Sequence, residues 1–577
     1  MQFLKKIFLI FNFIFLEIKK IKSLVINKYK SLKEFKLLSL IKYKLGYKEI
    51  YFKDENINSF LRKNPYNKLI NKKTTKNKIL IELLLSHHSE PMVLNCLIGK
   101  DLEKFYNAEC VGLIKKNDLF TRKIAESFGI KQFEFLHDDN FFSNFKYFIK
   151  ALNSLSFNEI EKKLPNYKIN GDEVGIFALE NYYRFYNSET KNKNKFYLYL
   201  YLSRAIRSND WTKKLFKNKY KMLVIGENQF IPNKAIFHRS LKSKIPVYSF
   251  HGSASINFIG RIYKKYKDRY SLKYKFSTKL TKLLINIFRS HKIINKIRKD
   301  NGIKEIGKET VWSDEDAKYS YSFKNKQEFN KFCGFNNKTK KNILFAPHAM
   351  SDNIFNNEWN IFKTNYNWCY ETILKIKKID NVNWIVKPHP YEYKFPGIKI
   401  RDIYNDLIEN ENNIFFLKED IFINEIYKYV DVVLTGNGSV GFEYPSLGIP
   451  AITTTDTGYS NFKFTYSPKD KKRYFKLLEN INKLKKLNKK QIKNAQIFWH
   501  TYEKLIRNSH NFLPKISQHG KFKKNEFFKL LSKKSFKKNK NNFTNDLLFQ
   551  LKNNNKISIN SNVVKKYKKF NFKFGDA

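Results

Sequence analysis

DVVLTGNGSVGFEYPSLGIPAITTTDTGYSNF, residues 431–462, carries the densest structural signal in the chain. Val432 to Leu434 read as a buried strand and Gly436, Gly438 and Gly441 as a glycine-rich turn opening a short helix. Ile449 to Thr453 read as a second apolar strand entered through Pro450. A strand feeding such a turn is a common backbone solution for holding a phosphate. The helix start presents unpaired N–H groups and partial positive charge, and glycine lets a ligand approach the main chain. Ser439 adds a hydroxyl, and Glu443, about one turn into the helix, is placed to accept hydrogen bonds from ribose hydroxyls. The alternative is an ordinary strand–turn–helix whose glycines serve only to reach positive φ.

Outward from this unit the pattern is α/β. Strands are expected at Lys78–Ser86, Glu109–Ile114, Lys131–Leu136, Lys221–Gly226 and Ile245–Phe250, separated by helical stretches. A second series begins with NILFAPH (Asn342–His348) and continues through NWIVKPHP (Asn383–Pro390) and NIFFL (Asn413–Leu417). Strands spaced by helices imply parallel, doubly wound sheets, so the expected fold is α/β with two Rossmann-like domains facing across a cleft. The expected organisation is an amphipathic, basic segment at 1–75, an N-terminal Rossmann-like acceptor domain at 76–310, a nucleotide-donor domain at 311–510 and a basic tail at 511–577. Lys and Asn dominate after about residue 515, which reads as a mobile or loosely packed appendage.

In such sheets ligands sit beyond the carboxyl ends of the strands. Three motifs of the second half fall there: Pro347-His348 with Ser351-Asp352, Lys387-Pro388-His389-Pro390, and Gly438-Ser439. Lys387, His389, His348, Ser439 and the turn amides at Gly436 and Gly438 supply donors, and Glu443 an acceptor. This set suits a nucleotide phosphate and its sugar. Charge-assisted hydrogen bonds of this kind contribute roughly 1.5–3 kcal/mol each. Four of them are enough for micromolar affinity, about −8 kcal/mol, after the costs of binding. In the first half His251, followed by Gly252, comes directly after a strand and is the leading candidate for a general base at neutral pH. Glu90 and Glu227 occupy comparable strand ends and compete for that role.

Charge narrows the partners without choosing one. Lys and Arg number 111 against 52 Asp and Glu, a formal charge of +59, which attracts nucleic acid, anionic lipid or acidic polysaccharide alike. Lys, Asn, Ile, Phe and Tyr are inflated together and share A/T-rich codons, so part of the bias is genomic. Cys96, Cys110, Cys333 and Cys369 are scattered, with no C-x-x-C and no histidine at ligand spacing; buried thiols are expected, and no metal site. Ile7 to Leu16 is about half the length needed to span a bilayer and lacks a small-residue cleavage site. Residues 1 to about 45 are expected to form a basic amphipathic segment able to lie in a membrane interface, on a cytoplasmic protein attached at the inner face of the plasma membrane. The alternative is a helix packed on the protein's own surface.

NILFAPHAMSDNIF, NWIVKPHP and DVVLTGNGSVGFEYPSLGIPAIT together resemble bacterial capsule-polysaccharide and surface-carbohydrate biosynthesis enzymes with the glycosyltransferase B-type fold. The HP and serine-containing turn elements are also similar to bacterial sialyltransferases, Kdo transferases and CDP-glycerol glycerophosphotransferases. The resemblance spans about 340–465, is thin across 78–260 and stops outside them. It implies that His389 and Ser439 hold the phosphate of a CMP-, CDP- or UDP-linked donor and that His251 matches a proposed base. It further implies transfer of a sugar or sugar-acid to a capsule or lipopolysaccharide acceptor, polymeric or lipid-linked, with the nucleotide-sugar as substrate, no cofactor and no specific nucleic acid. The paired serines of several relatives are Gly438-Ser439 here, and no clear acidic D/E-x-G-type base motif stands out in the first half. FEYPSLGIPAITTTDT also resembles the nucleotide site of UDP-N-acetylglucosamine 2-epimerases, whose glycine-containing first loop this chain lacks. The alternatives are therefore such an epimerase, or a non-catalytic polyanion-binding protein.

Overall fold

The computed structural model describes residues 2–32, 52–68, 75–84, 89–186, 193–253, 257–293 apart from 273, and 323–336. It further describes 339–560 apart from 352–354, 356–358, 390–391, 393–395, 410, 419–420, 422, 511, 515–523, 534–541, 553 and 555; for 2–3, 21–32, 67–68, 251–253, 257, 424, 524–525 and 542 it gives the main chain alone. Two sheets organise these residues. The first contains β1 (Lys78–Glu82), β2 (Glu109–Ile114), β3 (Gln132–Phe135), β4 (Met222–Ile225), β5 (Val247–Ser253) and β6 (Asn257–Tyr263), in the order β3-β2-β1-β4-β5-β6. All neighbours are parallel except β6, which runs antiparallel to β5. The second contains β7 (Asn342–Phe345), β8 (Asn383–Val386), β9 (Ile414–Phe416), β10 (Val432–Thr435) and β11 (Ala451–Thr453), all parallel, in the order β11-β10-β7-β8-β9. These are two Rossmann-like halves.

The continuous apolar runs follow from sheets covered on both faces. In β1, Ile79 and Ile81 enter one core while Leu80 enters the core on the opposite face. In β7, Ile343 and Phe345 face one core and Leu344 the other; in β10, Val432 and Leu434 oppose Val433 in the same way. The helices needed below are α1 (Gln2–Leu32), α2 (Ser89–Tyr106), α3 (Phe141–Ser154), α4 (Val174–Phe185), α5 (Lys195–Leu215), α6 (Val440–Glu443), α7 (Lys489–His500), α8 (Lys524–Lys533) and α9 (Asn542–Lys552). Side-chain caps start several of them: Asn140 accepts from the Ser143 amide before α3, and Asn488 forms a capping box with Gln491 before α7. Helices α3, α4 and α5 pack together as a separate layer, onto which α1 lays Leu9 and Phe13. The Phe13 ring stacks on Phe148 at 4.4 Å, and burial of such a side chain stabilises the docking by about 1.5–3 kcal/mol.

The chain beyond residue 515 departs from the expected mobile tail wherever it is described. Phe527, Phe528 and Leu531 of α8 and Phe543 and Leu547 of α9 are buried in the same core as β1 and α2. Further on, the amides of Ile262 and Ser558 pair with the carbonyls of Lys556 and Gly260, so the segment around Ile557 runs along the edge of β6. Three- and four-residue spacings of these apolar groups make a helical face that lysine and asparagine conceal in composition. Residues 52–60 likewise bury Phe52, Ile57 and Phe60 in that core rather than standing outside it. The boundary expected near 311 lies outside the described residues.

After β6 the chain crosses to the second half. Leu280, Leu284 and Phe288 pack with Phe442, Phe462 and Phe498, and Lys275 Nζ meets Asp456 Oδ2 at 2.8 Å with both side chains largely withdrawn from solvent. The Asn461 carboxamide donates to the Phe276 carbonyl at 2.7 Å. These contacts set the two sheets' carboxyl ends across one cleft.

Candidate functional site

The cleft is a cavity of about 520 Å³ with walls from both halves. On the second half, β8, β7 and β10 are adjacent, so the loops that follow them emerge side by side. They deliver His348, then Lys387 and His389, then Asn437, Gly438 and Ser439 to one wall. The His348 and His389 rings stack 5.1 Å apart and within 10° of parallel. Lys387 is only 4% exposed, and its ammonium donates to the Lys418 carbonyl at 3.0 Å, which fixes its direction along the wall. Asp352 and Pro390 lie outside the described residues.

The glycine turn does not need its glycines for positive φ, the alternative weighed in the sequence. Among the described glycines those with positive φ include Gly448 but none of Gly436, Gly438 and Gly441. Space decides instead. A Cβ at Gly441 would meet the Tyr459 hydroxyl oxygen at 2.1 Å, and one at Gly438 the Thr435 hydroxyl at 2.7 Å. Thr435 Oγ1 accepts from the Gly438 amide at 3.3 Å, and the amides of Gly441, Phe442 and Glu443 close back onto Gly438 and Ser439. The amides of Ser439 and Val440 bond no other described residue, and both residues line the cavity. Gly436 lies beneath the wall against the Trp368 ring. Glu443 corrects the expectation of a ribose acceptor: it is 3% exposed, sits behind the turn and is not part of the wall. Helix α6 is four residues long before it tightens into a 3-10 turn, so its fourth residue faces the protein.

The first half supplies Arg184, Glu227, Phe230, Tyr263, Arg269 and Tyr274. Glu227 follows β4, and Glu82 ends β1; β1 and β4 are the neighbours at which the strand order reverses, the usual ligand position of an open α/β sheet. The Glu227 carboxylate accepts from the Gln229 amide at 2.8 Å, and its carbonyl accepts from the Asn233 carboxamide. Glu82 is buried and accepts from the Leu84 amide at 2.7 Å. Burial, with the nearby Glu227 carboxylate adding to it, pushes Glu82 up to about 7 against opposing hydrogen bonds.

The sign of that shift makes a prediction. Between pH 4.5 and 7 the folded protein keeps a proton on Glu82 that the unfolded chain loses, so this group's stabilisation falls as pH rises through that window. Glu82→Gln retains an acceptor for Leu84 and removes the ionisation. Chemical denaturation from pH 4.5 to 8 is expected to show a smaller decline in the variant, the difference reaching roughly 3 kcal/mol at the alkaline end.

The other candidate bases fare differently. Glu90 lies in the first turn of α2, 3% exposed and outside the cavity wall. His251 does not end its strand: β5 runs to Ser253, and His251 pairs with Ile259 of the antiparallel β6. Its side chain lies outside the described residues. Sequence reasoning missed Asn437, Tyr274, Arg184 and Arg269. Asn437 stood in the quoted turn, but the others come from segments whose approach to the cleft is a tertiary fact. Arg269 enters already neutralised, forked onto Glu173 at 3.0 and 3.2 Å, whereas Arg184 lies over the Phe230 ring at 5.3 Å.

Comparison with known proteins adds context. No protein-family model matches the chain, and no curated protein matches it. Among solved structures it is similar to the beta Kdo 2,4 transferase KpsC of Thermosulfurimonas dismutans, at 11% identity over 51% of this chain and 82% of that one, TM-score 0.29. It is also similar to UDP-GlcNAc 2-epimerase from Methanocaldococcus jannaschii, at 15% identity over 74% and 98%, TM-score 0.24. The wall teichoic acid polymerase TagF gives 12% identity over 78% and 93%, TM-score 0.23.

Proposed function

We propose that this chain is a nucleotide-sugar-dependent glycosyltransferase with B-type architecture, acting in surface-carbohydrate synthesis. One observation carries the proposal: Lys387, His389 and Ser439 from the second half and Glu227 from the first line a single cavity. Such a cavity offers cations and amides on one side and a carboxylate on the other, which is the division that group transfer from a nucleotide requires.

In the proposed reaction an acceptor hydroxyl attacks the anomeric carbon of the donor. Its proton passes to Glu227, and the bond from that carbon to the phosphate oxygen breaks. The electron pair leaves with the nucleotide, whose added charge is met by Lys387, His389 and the Ser439 and Val440 amides. Offsetting of that charge is assigned to these groups, and no metal is given a role. The acceptor is a growing surface glycan, polymeric or lipid-linked, and the donor a CMP-, CDP- or UDP-linked sugar or sugar-acid.

A thermal-shift panel of CMP, CDP, UDP and GDP tests the donor side. At a hundredfold excess over its dissociation constant, a bound nucleotide adds about 2.7 kcal/mol to stability, so at least one pyrimidine nucleotide is expected to raise Tm by several degrees. Equal, negligible shifts for all four would refute the proposal.

A further inference from the structure

Helix α1 is apolar on two faces, and only one of them is used by the fold. Leu9 and Phe13 are buried against α3 and α5. On the other side Leu4, Phe8, Phe11, Phe15 and Ile18 are 58–67% exposed. Their spacing of four, three, four and three residues stacks them in one stripe along the helix. A soluble surface rarely leaves so many large apolar groups contiguous without a partner to cover them.

Charge decides which partner. Glu17 is the one acidic residue in α1, and it is turned inward, 4% exposed and bonded by the Asn144 carboxamide at 2.8 Å. Lys5 and Lys19 flank the stripe, their ammonium groups over the Phe157 and Phe15 rings at 5.2 and 4.4 Å. Beside it Lys193 and Lys195 rim a groove shared with Leu4 and Phe8. A second copy of this chain would bring lysine against lysine on a molecule already carrying a formal charge of +59. An anionic surface meets the same lysines favourably. No described helix is long and apolar enough to cross a membrane, so the stripe suits a helix lying in the interface, not one spanning it.

We propose that α1 docks the protein on an anionic lipid bilayer, inserting Leu4, Phe8, Phe11, Phe15 and Ile18 below the headgroups while the flanking lysines meet lipid phosphate. The helical layer that carries α1 also carries the cleft wall: α4 ends in Arg184, which lines the cavity, and Phe185, which is 57% exposed. Docking would therefore hold the cleft close to the bilayer, where a lipid-borne molecule could reach it. This inference does not depend on the identity of the donor.

Flotation of the full-length protein with vesicles of phosphatidylcholine, with and without phosphatidylglycerol, tests it. The wild type should float with the anionic vesicles, weakly with the neutral ones, and several-fold less at high salt. The triple variant Phe8→Ser, Phe11→Ser, Phe15→Ser should lose at least about thirtyfold in partitioning. Because the three side chains are exposed, its melting transition should be unchanged. In a second variant, Phe11→Trp, the fluorescence should shift to the blue on adding anionic vesicles. Undiminished flotation of the triple variant, or an unshifted Phe11→Trp spectrum, overturns the proposal. So does a wild-type dimer that the triple variant dissociates, accompanied by no flotation; that would assign the stripe to a second copy.

Discussion

Replacing His389 with alanine is expected to weaken nucleotide binding by about a hundredfold, roughly 2.7 kcal/mol. The ring follows a buried strand, stacks on His348 and lines the same cavity as Ser439 and Val440. Its loss removes a donor from the cavity wall, and the melting temperature of the variant without ligand is measured alongside to separate binding from stability. Calorimetric titration of the nucleotide that stabilises the wild type most is the check. Lys387→Ala should weaken binding too, but with a stability cost, because the Lys387 side chain is almost fully buried and its ammonium donates to the Lys418 carbonyl.

Glu227→Gln is expected to reduce turnover by about 10²–10⁴-fold while leaving donor affinity near the wild-type value. Glutamine keeps the acceptor that the Gln229 amide uses, so the loop should hold its shape and only the capacity to take a proton is lost. Steady-state rates with donor and acceptor, beside nucleotide titration of the same variant, separate the two effects. Retained turnover would move the base elsewhere, to His251 first. The same assay separates a transferase from an epimerase, because an epimerase consumes the donor with no acceptor present.

Much of the scaffold was legible in the sequence, for a physical reason. In β7, β8 and β10 every residue is buried. Short apolar runs rich in β-branched and aromatic residues, each followed by a Gly- or Pro-containing polar loop, fit the interior strands of a doubly covered sheet. The rim loops follow from that placement, which is why His348, Lys387, His389 and Ser439 could be gathered before any coordinates. Direction within a short helix was harder. Glu443 needed a helix turned by about one residue, 100°, to face the cleft, and α6 is instead seated by Phe442 among Tyr459, Phe498 and Tyr502. The glycines were chosen for Trp368, Thr435 and Tyr459, partners that no local pattern announces.

Non-local pairing hid the rest. β6 looks like an irregular link until β5 is extended through His251, and the segment near Lys556 finds its partner almost three hundred residues earlier. Arg184 and Phe230 become cleft residues only because the helical layer is folded over the first sheet. Composition misled most strongly at the carboxyl end, where lysine and asparagine outnumber the phenylalanines and leucines that anchor α8 and α9.

The central claim is that this one cavity grips a nucleotide phosphate. Diffraction from crystals soaked with the nucleotide giving the largest thermal shift tests it most directly. The predicted map places a phosphate against His389 and the amides of Ser439 and Val440, with the anomeric side open toward Glu227. Nucleotide density at some other site, with this wall unengaged, would contradict it.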